Sequence, residues 1–166
     1  IQLAAAENQM EVPSKQAAAD IIGLGLPEAT KRLFPGIEEG QATIFTASYS
    51  AQFRAQDSVP CQFFDGVHKT LAQLRTSGFL LAVATGKSRM GLDRVLEALG
   101  MIDFFDASRC ADETLSKPNP LMINELLDEM SVTAAEAIMV GDTEFDLDMA
   151  QPVSYTHLTL PTMVQV

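Results

Sequence analysis

The chain is 166 residues long, 47% hydrophobic and 20% charged, an ordinary globular balance that excludes a disordered polypeptide. Its net charge of −11 argues against a nucleic-acid partner, because binding a phosphate backbone needs clustered Lys and Arg. No apolar run nears the roughly 20 residues of a membrane span, and two cysteines, Cys61 and Cys110, form neither a metal-ligand spacing nor a disulfide framework, so reduced thiols in a cytoplasmic protein are expected.

Residues 1–59 are helix-prone and show no strand-like alternation, which predicts a small helical bundle separate from the rest of the chain. Ser14 is a plausible N-cap and Pro27 suits the start of a helix. Gly23 and Gly25 in IGLGL mark a turn between two helices, or a place where backbone approaches a ligand. The linker-like DSVPCQFFDGV comes next. Val67, Leu71 and Leu74 then share a helical face that Gly78 ends. The run FLLAVA, residues 79–84, has strand length and leads into Thr85-Gly86-Lys87-Ser88. A helix carrying Leu92, Val95, Leu96 and Leu99 ends at Gly100, and a short strand is expected over 106–110. After the loop SKPNP comes a helix with Ile123, Leu126, Leu127 and Met130 in register. Alternation of strands and helices predicts an α/β fold whose parallel sheet is covered by helices.

The stretch AIMVGDTEFD, residues 137–146, closes the series. Residues 137–140 read as a fully buried strand, and Glu144 begins a helix, so Asp142 stands at the strand's carboxyl end with Asp146 in the first helical turn. Two carboxylates that close repel unless a cation or proton lies between them. Hard oxygen ligands suit Mg²⁺, which takes one or two carboxylates and keeps several waters. An acidic cap on the helix dipole explains the same residues without a metal.

Thr85, Lys117 and Asp142 each come after a strand where it meets a helix, and in one parallel sheet such junctions share an edge. The Thr85 hydroxyl with the amides of Gly86 and Lys87 can hold phosphate oxygens, although a plain Ser/Thr cap accounts for them too. Pro118 and Pro120 stiffen the loop that carries Lys117, so its ammonium could meet a phosphate at a fixed place rather than being an ordinary solvated lysine.

TGKS at 85–88, KPNP at 117–120 and GDTEFD at 141–146 resemble the second, third and fourth motifs of the haloacid dehalogenase superfamily. The nearest branch is that of phosphoglycolate-phosphatase-like hydrolases with a helical cap. The resemblance implies a Rossmann-like parallel-sheet core over 60–151, with 1–59 as the cap subdomain. It implies a Mg²⁺-dependent phosphatase that works through an aspartyl-phosphate on a small phosphorylated metabolite. On this resemblance Asp142 ligates Mg²⁺, Asp146 supports the metal directly or through water, and Lys117 offsets phosphate charge. Thr85 and the Gly86 amide bind phosphoryl oxygens.

The family's first motif, a strand ending in D-x-D-G-T that supplies the nucleophile, has no match here. Glu7 and Glu11 are the only acids ahead of the cap helices, and both lie in helical sequence. The expectation is therefore a chain that lacks the central first strand and is itself inactive and marginally stable. Residues 152–166 read as a non-native tail, because VSYTHLTLPT resembles a translated sequencing adapter; Tyr155 and His157 then carry no function. The other reading of the tail is a strand of alternating Thr and Leu. Two alternatives to a phosphatase remain: a sugar-phosphate mutase of the same superfamily, and a non-catalytic α/β binding module. Substrate identity and oligomeric state are not legible.

Overall fold

A computed structural model describes residues 1–56, 62–153 and 156–159, the last four and Gln56 by backbone alone. Cys61, much of the expected linker, Tyr155, the His157 side chain and the end of the tail lie outside the described residues. The chain forms two compact units, Ile1–Pro60 and Cys61–Val166.

The first unit is helical: α1 (Gln2–Glu7), α2 (Lys15–Ala19), α3 (Leu26–Leu33) and α4 (Glu39–Gln56). Ser14 caps α2 by accepting the Ala17 amide, and Pro27 sits in the first turn of α3. Gly23 takes a positive φ of 104° in the turn between them, which a side chain would resist. The core of this unit is Ala4, Ala5 and Phe45, packed by Met10, Phe34 and Tyr49. The rings of Phe34 and Phe45 meet edge to face at 5.0 Å. Glu11 lies beyond α1 in irregular backbone, not in the helix its neighbours suggested.

The second unit alternates α5 (Val67–Thr76), β1 (Ala82–Thr85), α6 (Arg89–Ala98), β2 (Ala107–Cys110), α7 (Leu121–Met130), β3 (Ile138–Gly141), α8 (Glu144–Ala150) and β4 (Thr156–Thr159). Among the described residues the pairing is parallel, as expected, in two ladders: β1 with β2, and β3 with β4. Successive strand residues face opposite sides. Thus Val83 joins Leu92, Leu96, Met101 and Cys110 on the α6 side. Ala84 joins Met122, Ile123, Leu127, Met149 and Ala150 beneath α7 and α8. Met139 of β3 enters that second cluster, so α7 and α8 line one face of both ladders.

Two strand expectations need correcting. The run from 79 pairs only from Ala82, leaving Phe79 and Leu80 56% and 52% exposed. Strand β3 is not fully buried: Met139 faces the core, whereas Ile138 and Val140 are 58% and 51% exposed on the opposite side. A continuous apolar run signals two buried faces only when both faces have cover, and among the described residues β3 has cover on one. No helix among the described residues is long and apolar enough to cross a membrane.

Candidate functional site

The segment after β3 is built around Asp146. This residue is the third of α8, and with Thr143 it forms a capping box, the reciprocal lock that fixes a helix start. Asp146 Oδ2 accepts the Thr143 amide at 3.2 Å and its hydroxyl at 2.7 Å. The other oxygen, Oδ1, accepts a charge-assisted bond from Lys117 Nζ at 2.5 Å. Both partners are buried, Lys117 at 6% and Asp146 at 4% exposure. A pair so desolvated survives only because its lone pairs are satisfied, as those of Asp146 are.

Gly141, the last residue of β3, makes this possible. A Cβ there would stand 2.3 Å from Asp146 Cβ, 2.5 Å from Cγ and 2.8 Å from Oδ2, so only hydrogen fits beneath the carboxylate. Asp142 comes next and is exposed. Lys117 arrives from the loop before α7, in which Asn119 Oδ1 accepts the Leu121 amide at 2.9 Å and the Lys117–Pro118 peptide is cis.

The loop after β1 is arranged differently. Thr85 Oγ1 accepts the Lys87 amide at 3.2 Å, so that amide is already satisfied within the loop. The start of α6 is also taken by protein groups: Asp112 accepts the Arg89 amide at 2.8 Å and Ser88 accepts the Gly91 amide at 3.2 Å. The phosphate expectation named the Thr85 hydroxyl and the amides of Gly86 and Lys87, and of these the Lys87 amide is the one bonded to Thr85. Arg89 makes a two-pronged pair with Glu113, Nε to Oε1 at 2.8 Å and Nη2 to Oε2 at 2.7 Å. Its guanidinium holds the Glu113 carboxyl down at about 2, and the Cys110 amide donates to the same carboxylate at 3.0 Å. Burial pushes the Cys110 thiol up to about 11, so this cysteine is an inert core thiol.

Lys117 and Asp146, 29 residues apart, are therefore in direct contact, and Asp142 precedes Asp146 by four residues; Thr85 and Gly86 stand at the carboxyl end of β1. As for metal, no cluster of three or more His, Cys, Asp or Glu is found among the described residues. The donor set still fits Mg²⁺ in part: Asp142 offers a hard, exposed carboxylate, whereas both Asp146 oxygens are engaged. Sequence reasoning passed over Thr143 and the Arg89–Glu113 lock. The T-x-x-D spacing of a capping box was the available signal for the first; the second had none, since its partners are 24 residues apart.

The model of haloacid dehalogenase-like hydrolases matches residues 1–157. The chain belongs to that family. Among curated relatives, "Probable phosphatase IndB" of Dickeya dadantii is 35% identical over 86% of this chain and 64% of its own length. The phosphoglycolate phosphatase of Colwellia psychrerythraea is 29% identical over 78% of this chain and 56% of its own. The chain thus spans under two thirds of the length of each. A crystal structure described as a predicted phosphoglycolate phosphatase from Haemophilus somnus superposes with a TM-score of 0.81 at 19% identity, covering 96% of this chain and 75% of that one. At that identity the likeness speaks for the fold. This family member is α/β with a small parallel sheet, and its resemblance is to the phosphoglycolate-phosphatase-like branch.

Proposed function

We propose that this chain is the cap and part of the core of a Mg²⁺-dependent phosphatase acting on a small phosphorylated metabolite in the cytoplasm. The observation that carries the reading is the buried Lys117–Asp146 pair, an ammonium held by one carboxylate, with an exposed second carboxylate, Asp142, four residues before Asp146 in the chain. The relatives named as phosphatases support the same reaction class. In the reaction a carboxylate attacks phosphorus and the alcohol leaves; water then hydrolyses the aspartyl-phosphate, releasing phosphate and regenerating the carboxylate. The transferring group spreads negative charge over its oxygens, so catalysis rests on positioning and electrostatics.

In this reading Lys117 offsets the charge on phosphate and nucleophile, held in place by Asp146. The Thr85 hydroxyl and the Gly86 amide donate to phosphoryl oxygens. Asp142 is the carboxylate that would hold Mg²⁺ directly, with Asp146 behind it through water; the bound cation supplies positive charge at the phosphoryl oxygens. Asp142 and Asp146 are the carboxylates just after β3, and both already have roles. The reading includes residues 1–59 as the cap, residues 152–166 as a non-native tail even though 156–159 pair with β3, and a 166-residue chain that is inactive alone.

The test compares the purified chain with a chimera carrying, ahead of Ile1, the first strand and D-x-D-G-T motif of a relative. Phosphate release is measured from p-nitrophenyl phosphate and phosphoglycolate, with Mg²⁺ or with EDTA. The chain alone should release none. The chimera should release phosphate only with Mg²⁺, and Asp142→Ala should abolish it. Release by the 166-residue chain, or a folded chimera with no activity on any phosphomonoester, would overturn the reading.

A further inference from the structure

The contacts of Asp146 divide between its two oxygens in a way the proposed reaction does not use. Oδ1 holds the Lys117 ammonium, whereas Oδ2 is turned toward the chain just after β3 and gripped by Thr143 through both its N–H and its O–H. A carboxylate is planar, so fixing Oδ2 fixes the direction in which Oδ1 faces. Gly141 closes the third side: the space a Cβ would take is filled by Asp146 itself, down to 2.3 Å. We propose that Thr143 is a positioning residue for Lys117. Its hydroxyl, acting through Asp146 and against the bare backbone of Gly141, sets where the ammonium stands.

This goes one residue beyond the Lys117–Asp146 pair and rests on the phosphatase reading only for the purpose the ammonium serves. The hydrogen bonds that carry it are all made within the chain. It also makes a specific demand on chemistry at position 143. Serine retains the hydroxyl and loses the methyl, whereas valine retains the methyl and loses the hydroxyl. A packing role for Thr143 would be upset by serine and tolerated by valine; a positioning role has the opposite preference.

The experiment is performed on the 166-residue chain with ¹⁵N-labelled lysine, observing the side-chain ammonium signals. A buried, hydrogen-bonded ammonium exchanges its protons slowly enough to be seen, and the Lys117 signal is assigned by its absence from Lys117→Met. Thr143→Ser should leave that signal in place. Thr143→Val and Gly141→Ala should each speed its proton exchange by roughly tenfold or more, the equivalent of one charge-assisted hydrogen bond. An unchanged Lys117 signal in folded Thr143→Val, or its loss in Thr143→Ser, would overturn the proposal. Should Thr143→Val not fold, Gly141→Ala and Thr143→Ser decide between them by the same two outcomes. Because the signal is read without substrate, failure of the phosphatase assay and failure of this proposal remain distinguishable.

Discussion

Lys117 is one of the residues whose environment departs furthest from its composition. A lysine between two turn-forming residues in a polar loop would ordinarily be solvated, yet here it is 6% exposed and commits its charge to a single carboxylate. Burying two charges costs several kcal/mol each, and the pair recovers it only while both members are present. Lys117→Ala should therefore destabilise the chain by about 3 kcal/mol or more, because Asp146 is left buried without its counter-charge. The double substitution Lys117→Met with Asp146→Asn should recover part of the loss. Urea unfolding of Lys117→Ala, Lys117→Met, Asp146→Asn and the double variant checks this; a double loss equal to the sum of the Lys117→Met and Asp146→Asn losses would mean that the charges are not coupled.

At the scale of elements, the tie between α6 and the loop after β2 is ionic. Arg89 opens α6, and its guanidinium grips Glu113 while the Arg89 amide is capped by Asp112. The Glu113 carboxyl is held at about 2 in the folded chain, mainly by its hydrogen bonds from Arg89, against an ordinary value of 4.5. A depressed carboxyl contributes stability that is fully present above its unfolded value and is lost as pH falls toward its folded one. Stability should therefore decline between pH 4.5 and about 2 through this group. Its carboxylate is 35% exposed, so solvent screening limits the contribution to about 1 kcal/mol. Glu113→Gln should lower stability at neutral pH by that amount and flatten the acid limb, as measured by unfolding across the pH series. A variant with the same acid limb as the parent would show that the tie is not ionic.

For the molecule as a whole, the charge balance makes the clearest demand. Eleven basic residues against twenty-two acidic ones leave a net −11, and much of the basic charge among the described residues is already paired, as in Arg89 with Glu113 and Arg109 with Glu125 and Glu129. Duplex DNA should therefore not be retained by the chain even at low salt, where phosphate contacts are strongest. Filter binding at about 50 mM and about 200 mM salt tests this, and salt-sensitive retention would contradict it.

Much of the fold was legible because it is written in local chemistry. The helical spacing of Leu92, Leu96 and Leu99, and of Ile123, Leu126 and Leu127, defined α6 and α7, whose buried faces are the expected ones. Ser14, Pro27 and Gly23 marked helix ends and a turn through backbone preferences that need no distant partner. Alternation of strand and helix predicted parallel pairing, and both ladders are parallel. The three short motifs, in order, pointed to the family to which the chain belongs. Each of these is a statement about residues within a few positions of one another, and that is the range over which one sequence carries physical information.

The tertiary structure decided what depends on distant contact. Only packing could reveal that, among the described residues, β3 is covered on one face, so that Ile138 and Val140 stand exposed while Met139 joins the core. Only packing could decide which of the described strands pair, because strand pairing is set by hydrogen bonds between segments far apart in the chain. The Arg89–Glu113 lock spans 24 residues and the Lys117–Asp146 pair spans 29. The sequence by itself determined which residues could bear charge, cap a helix or bind phosphate. The folded chain determined which of them meet, because burial and hydrogen-bond geometry exist only once the segments have come together.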